Sequence, residues 1–308
     1  MQNRAALGIG YLCLGILIFS VQDAIIKSVS GNYALTQVVS IRCLVSAPIL
    51  LAMVHFDGGL GSLVGREFWK LVARSALMLV AYTTYYMAFP ALPLADAVAL
   101  FFTVPLFAMA LAAPILGEQI GWRRITAVIV GFVGVMVMLR PGAGLFEPAA
   151  LLSLFSSVTY ALAMLMARKM GTETSASVMA FYQNGVYLTG ALMIAGFFSA
   201  IGVHEAGHPS LDFLIRGWTM PNTRDFLLIA SCGVIAAIAM TLLTNAYRIA
   251  KASVVTSFEY TGMLWAPLWG YLFFGEIPHL TTIAGAGLII AAGMFALSSP
   301  SARENKPA

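Results

Sequence analysis

The chain has 308 residues, 60% of them hydrophobic and 10% charged, with a mean hydropathy of +0.88. A soluble globular domain is nearer 45–50% apolar and about 25% charged, so the composition excludes an ordinary water-soluble fold and points to a bilayer as solvent. The formal charge of +4 is modest, and where the basic residues lie matters more than their sum.

Apolar runs bounded by charged or turn residues predict ten membrane helices, over about 6–27, 35–56, 69–89, 94–116, 122–140, 147–169, 175–200, 225–248, 253–274 and 280–298. The turns between them hold suitable punctuation, such as Ser30-Gly31-Asn32, Asp57-Gly58-Gly59, Arg140-Pro141-Gly142 and Gly171. Residues 5–21 resemble a signal-peptide core, but the run stays apolar to Ile26 with no small-residue cleavage site, so it reads as a retained first helix. The cysteines, Cys13, Cys43 and Cys232, fall inside apolar runs and have neither disulfide nor metal-ligand spacing.

The first two helices carry the clearest intramembrane charges. Asp23 and Arg42 lie at depths that differ by only a few ångströms at about 1.5 Å rise per residue, so an ion pair between them is feasible. Lys27, one turn beyond Asp23, offers that carboxylate a second partner. A clamp between two helices and an extracellular gate both fit this trio. The third helix carries Tyr82-Thr83-Thr84-Tyr85-Tyr86, with Tyr82 near mid-depth, and the fourth opens on Asp96, a first-turn acid complementing the helix dipole.

In the second half of the chain, Tyr160 lies in the sixth helix and Gln183, Asn184 and Tyr187 in the seventh. Gln183 and Asn184 point about 100° apart, so both cannot hide on one narrow seam and one is expected to face water. The only long connection, 201–224, contains His204, His208, Asp212, Arg216 and Arg224 and has room for a short interfacial helix. Asn245 lies in the eighth helix, and Glu259, Trp265 and Trp269 in the ninth. Glu259 either faces a cavity, where it could bind an amine or a coupling proton, or pairs with Arg248 or Lys251 of the preceding loop.

One stretch recurs. Ala88 to Glu118 reappears, degraded but in register, as Ala246 to Glu276, an offset of 158 residues. Both copies open on Ala-aromatic and close on Gly-Glu, as Gly117-Glu118 and Gly275-Glu276. With the N-terminus inside, twelve Lys and Arg fall on the cytoplasmic side, Arg74 among them, against four outside and Arg42 within a helix. That bias predicts an N-in, C-in chain. Five helices then separate the copies in order, an odd number, so the halves are expected to be inverted relative to each other.

Three further features complete a resemblance: Phe19-Ser20-Val21-Gln22-Asp23-Ala24-Ile25-Ile26-Lys27, Arg42 early in the second helix, and Gly285, Gly287 and Gly293 after the second Gly-Glu. With the two Gly-Glu joins, the chain resembles the EamA-type branch of the drug/metabolite transporter superfamily over nearly its whole length. The resemblance implies an all-α membrane protein of ten helices in two inverted five-helix repeats, 6–140 and 147–298. These form one transporter domain, with 299–308 as a cytoplasmic tail.

It also implies multi-pass insertion in a bacterial inner membrane and movement of small organic metabolites. Amino acids or related compounds carried outward by alternating access are the first expectation, and uptake of a vitamin or nucleotide-like cofactor, of riboflavin or S-adenosylmethionine type, is the alternative. Expected substrate-binding residues are Tyr82, Tyr160, Gln183, Asn184, Tyr187, Glu259 and Trp265, with Asp23, Lys27 and Arg42 as gate or ion pair. No Walker loop, dinucleotide fingerprint or His-Glu-x-x-His motif is present. A lipid-modifying membrane enzyme would need a paired acid and nucleophile at one interface, and none is found. No cofactor, metal, catalytic residue or nucleic-acid partner is therefore expected; the expected partners are a solute and the lipid bilayer, and the working unit a monomer.

Overall fold

A computed structural model describes residues 2–64, 67–116, 122–139, 147–170, 174–249 and 256–297. These form twelve α-helices: α1 (Gln2–Val29), α2 (Leu35–Gly58), α3 (Phe68–Met87), α4 (Leu94–Phe101), α5 (Val104–Leu116), α6 (Trp122–Leu139), α7 (Ala149–Met170), α8 (Ala176–Ile201), α9 (Pro209–Ile215), α10 (Thr223–Ile249), α11 (Gly262–Phe274) and α12 (Leu280–Leu297). Two 3-10 turns, Leu60–Leu63 and Thr256–Thr261, complete the described secondary structure, which contains no strand. Five helices are long and apolar enough to cross a membrane by length and composition, and three shorter apolar helices accompany them.

Two helices expected to be continuous are broken. The fourth predicted helix stops at Phe101 and restarts at Val104, where Pro105 supplies no backbone N–H and so disfavours an uninterrupted ladder. The ninth starts, among the described residues, as the 3-10 turn Thr256–Thr261 and becomes α-helical only at Gly262. In an apolar medium a broken helix leaves carbonyls that need donors. Thr103 Oγ1 donates to Leu100 O at 2.7 Å, and Thr261 Oγ1 donates to Phe258 O at 2.7 Å. These two hydrogen bonds occupy equivalent positions of the 158-residue repeat. Ser157 of α7 donates to Leu100 O and Phe101 O as well, both at 3.2 Å.

The two breaks meet. Phe102 and Tyr260, also equivalent in the repeat, are in ring contact with centroids 6.1 Å apart. Helix packing follows the same exchange: α1 packs on α10 and α7 on α3, α2 packs on α10 and α8 on α3, and α2–α8 and α6–α12 map onto themselves. The α6–α12 crossing is close because a Cβ on Gly134 would stand 2.8 Å from Gly285 O, and one on Gly285 2.6 Å from Gly134 O. Small residues let backbones approach in this way where lipid gives no hydrophobic drive between helices.

The long connection forms α9, which caps the face opposite the chain's N-terminus. Phe213 is fully buried beneath it. Trp218 Nε1 donates to Thr36 Oγ1 at 2.9 Å, Gln37 Nε2 to Thr219 O at 2.6 Å, and Arg216 to the carbonyls of Ser30 and Gly31.

Candidate functional site

A cavity of about 400 Å³ lies between the two halves. Its lining reaches Leu50, Arg74, Met164, Ala180 and Leu243, each within about two turns of the helix ends on the face that carries the chain's N-terminus. On the opposite side it stops at Gln22, Arg42, Tyr82 and Tyr187. Beyond them lie the buried rings of Tyr85, Tyr86 and Phe89, packed edge to face and tilted at 4.8–5.3 Å.

Six of the seven expected substrate residues share this cavity: Tyr82, Tyr160, Gln183, Asn184, Tyr187 and Glu259. Tyr82 stands at the centre of an aromatic cluster, within 6.0 Å of the rings of Tyr86, Tyr160 and Tyr187. Tyr187 Oη donates to Met78 O at 2.8 Å, which fixes its ring. Asn184 is tied to α2, donating to Cys43 O at 3.0 Å and accepting from Ser46 Oγ at 2.6 Å, whereas Gln183 keeps only a 3.3 Å contact from its Nε2 to Tyr187 Oη. Gln183 is thus the amide left to face the cavity.

Trp265 is not in the lining. It stacks on Trp269, centroids 6.5 Å apart, and Trp269 Nε1 donates to Ser20 Oγ at 2.8 Å. Trp269 thus joins α11 to α1, and Trp265 stacks on it within α11. Asn245 belongs to residues whose side chains are not described, and Gly117, Glu118 and Lys251 lie outside the described residues.

The expected Asp23–Arg42 ion pair does not form. Asp23 accepts from Tyr85 Oη at 3.0 Å and lines a smaller, deeper cavity of about 160 Å³. Arg42, 7% exposed, lies over the Tyr187 ring at 5.6 Å. The Gln22 amide satisfies both its ends when Oε1 accepts from Tyr86 Oη at 2.9 Å and Arg42 Nη1 at 3.3 Å while Nε2 donates to Cys232 O at 3.0 Å. A neutral amide thus anchors this buried guanidinium, because Asp23 projects from the next residue of α1 toward α3.

Lys27 also finds a partner other than Asp23. Its Nζ sits 2.6 Å from Glu276 Oε1, donates to Leu92 O at 2.5 Å and lies 5.3 Å from the Phe274 ring centroid. Gly275 makes this possible: its φ of 66° ends α11 in the left-handed region, and Glu276 N–H turns back to Gly270 O at 3.0 Å. Glu276 Oε2 then accepts from the Leu94 N–H at 2.8 Å, capping α4. The second Gly-Glu is therefore half of a lock across the face opposite the N-terminus, and Asp96 beside it accepts from Thr282 Oγ1 at 2.6 Å.

Among the charged lining residues, sequence reading misses one. Arg74 was counted among the loop cations, but it is 6% exposed and faces the cavity from α3. The signal was available: Arg74, Met78 and Tyr82 repeat every four residues, which puts them on one helical face. His208, in the long connection, caps α9 and lies 3.1 Å from Glu147.

A model of the EamA-like transporter family matches residues 6–140 and again 147–298. The chain is 26% identical over 292 residues to the S-adenosylmethionine uptake transporter of Rickettsia prowazekii, covering 95% of this chain and 92% of that protein. It is 28% identical to the riboflavin transporter of Vibrio cholerae, covering 91% and 89%, and 25% identical to the pseudopaline exporter of Pseudomonas aeruginosa, covering 92% and 94%. A solved crystal structure shares the fold, with a TM-score of 0.62 over 96% of each chain at 15% identity.

Proposed function

The chain belongs to the EamA-like transporter family, and on that premise we propose that it carries amino-acid-related metabolites through the central cavity by alternating access between two inverted halves. It is a multi-pass transporter of the bacterial inner membrane and not an enzyme. One observation carries the substrate reading: a single cavity joins two buried guanidiniums, the Glu259 carboxylate and a wall of Tyr82, Phe101, Tyr160 and Tyr187. Charges of both signs suit a zwitterion, and the rings suit a flat or apolar body attached to it. At about 400 Å³ the cavity falls within the range of about 300–1,000 Å³ usual for organic ligands, more room than a plain amino acid needs. S-adenosylmethionine, an amino acid joined to a nucleoside, has that chemistry, and similarity to uptake transporters of that name adds support.

The inverted repeat is supported by the two separate family matches, the equivalent helix breaks in contact, and packing that survives exchange of the halves. Taking the N-terminus as cytoplasmic, the cavity described is the inward-loaded form and Lys27–Glu276 is the closed outer gate. A carrier of this kind has no built-in direction; gradients set the sign of net flux.

Proteoliposomes loaded on either side with labelled S-adenosylmethionine, riboflavin or amino acids test the reading. Flux of S-adenosylmethionine exceeding that of riboflavin is expected, and outward amino-acid flux alone would return the substrate to the simplest class. Clear flux of riboflavin without any amino-acid compound would overturn it. Orientation is checked by single cysteines at Gln119 and Ile277 in a protein lacking Cys13, Cys43 and Cys232. A cytoplasmic reagent should block the first and an external one the second; blockage of both from one side removes the inverted model.

A further inference from the structure

The cavity's two arginines differ in a way that assigns them different work. Arg42 is held by the protein: Gln22 Oε1 accepts from its Nη1, the Tyr187 ring lies beneath it, and the Asp23 carboxylate is within electrostatic reach. Arg74 has no such anchor. Its Nε and Nη1 are buried, and neither has a hydrogen-bond partner in the protein. The phenols of Tyr160, Tyr187 and Tyr82 are among its electrostatic neighbours, and they bring no negative charge at neutral pH. A buried cation whose donors find no acceptor is costly, and a native fold keeps one where a ligand supplies the counter-charge.

We propose that Arg74 is the residue that recognises the substrate's carboxylate, gripping it along one edge of its guanidinium fork. The proposal rests on the substrate reading above and deepens it. Nε and Nη1 lie on different edges of the planar guanidinium, each edge shared with Nη2, so a carboxylate bound bidentately at either edge meets one of these unpartnered donors. Arg74 lies nearer the open end of the cavity than Tyr82, on the same face of α3, so an incoming carboxylate meets it before the body of the solute reaches the aromatic cluster. Gln183 is on the same wall, with its carbonyl oxygen available to a substrate amine. Arg42, already held by Gln22 and Tyr187, contributes charge at the closed end rather than the grip.

The test is equilibrium binding to the full chain in detergent, using two probe pairs: S-adenosylmethionine with its decarboxylated analogue, and leucine with leucinol. Wild type should prefer the carboxylate member by at least about tenfold, the worth of roughly 1.4 kcal/mol. Arg74→Gln should erase that preference, through weaker binding of the carboxylate member of each pair. Arg74→Lys, which keeps the charge but loses the fork, should retain only part of the preference. If the glutamine variant does not fold, the lysine variant decides, because an undiminished preference there removes the bidentate grip. A preference that survives Arg74→Gln in a folded protein overturns the assignment and leaves the transport reading standing. Failure of wild type to bind any carboxylate probe overturns both.

Discussion

The two faces of the molecule treat their polar groups in opposite ways. On the face with the α1–α2 turn, charges are paired and capped: Lys27 has Glu276 and Leu92 O, Glu276 also serves Leu94 N–H, and α9 closes the surface above them. On the face with the N-terminus, the cavity leaves Arg74 without protein acceptors and Gln183 with one weak contact. Groups that satisfy one another hold a conformation, whereas groups left unsatisfied wait for a solute. On the proposed reading, stability lies at one end of the molecule and recognition at the other.

Breaking the lock should have the largest effect on the cycle. Lys27→Met leaves Glu276 without its counter-ion at a partly buried site, a loss of about 1–3 kcal/mol, between the worth of an exposed pair and the cost of breaking a buried one. Lower melting in detergent is expected, together with external labelling of a cysteine placed at Val98, which lines the deeper cavity. Unchanged labelling would show that the pair is not the gate.

Gln22→Leu comes next, because it strips the acceptor from Arg42 and Tyr86 at once. A stability loss of about 1–3 kcal/mol is expected from the unsatisfied groups it leaves. Glu259→Gln sharpens the contrast from the other end, since it removes charge but keeps volume. Flux of a zwitterionic substrate should fall by about tenfold, with a smaller loss of stability than Lys27→Met gives. A large melting shift with normal flux would make Glu259 structural. The smallest effect belongs to Asp23→Asn: the amide oxygen still accepts from Tyr85 Oη, and a change of less than about 1 kcal/mol is expected. A loss of several kcal/mol would mean that Asp23 and Arg42 are coupled more strongly than their separation suggests.

Much of this protein was legible in the order of its residues. Membrane solvent and the apolar helices follow from hydropathy, and the 158-residue recurrence from self-similarity, because in lipid every backbone group must be satisfied within a helix and apolar length therefore marks candidate spans. Tyr82, Gln183 and Glu259 could be nominated because a polar group at span depth is costly unless it is used. Partners could not be nominated in the same way. Depth put Asp23 beside Arg42 and Lys27 beside Asp23, but which side chains touch depends on helix rotation, and rotation is set by packing against other helices. It turned Asp23 to Tyr85, gave Arg42 to Gln22, and carried Lys27 across the molecule to Glu276. The same rotation drew Arg74 from an apparent loop charge into the cavity, and the meeting of the two broken helices at Phe102 and Tyr260 was decided only when the halves packed together.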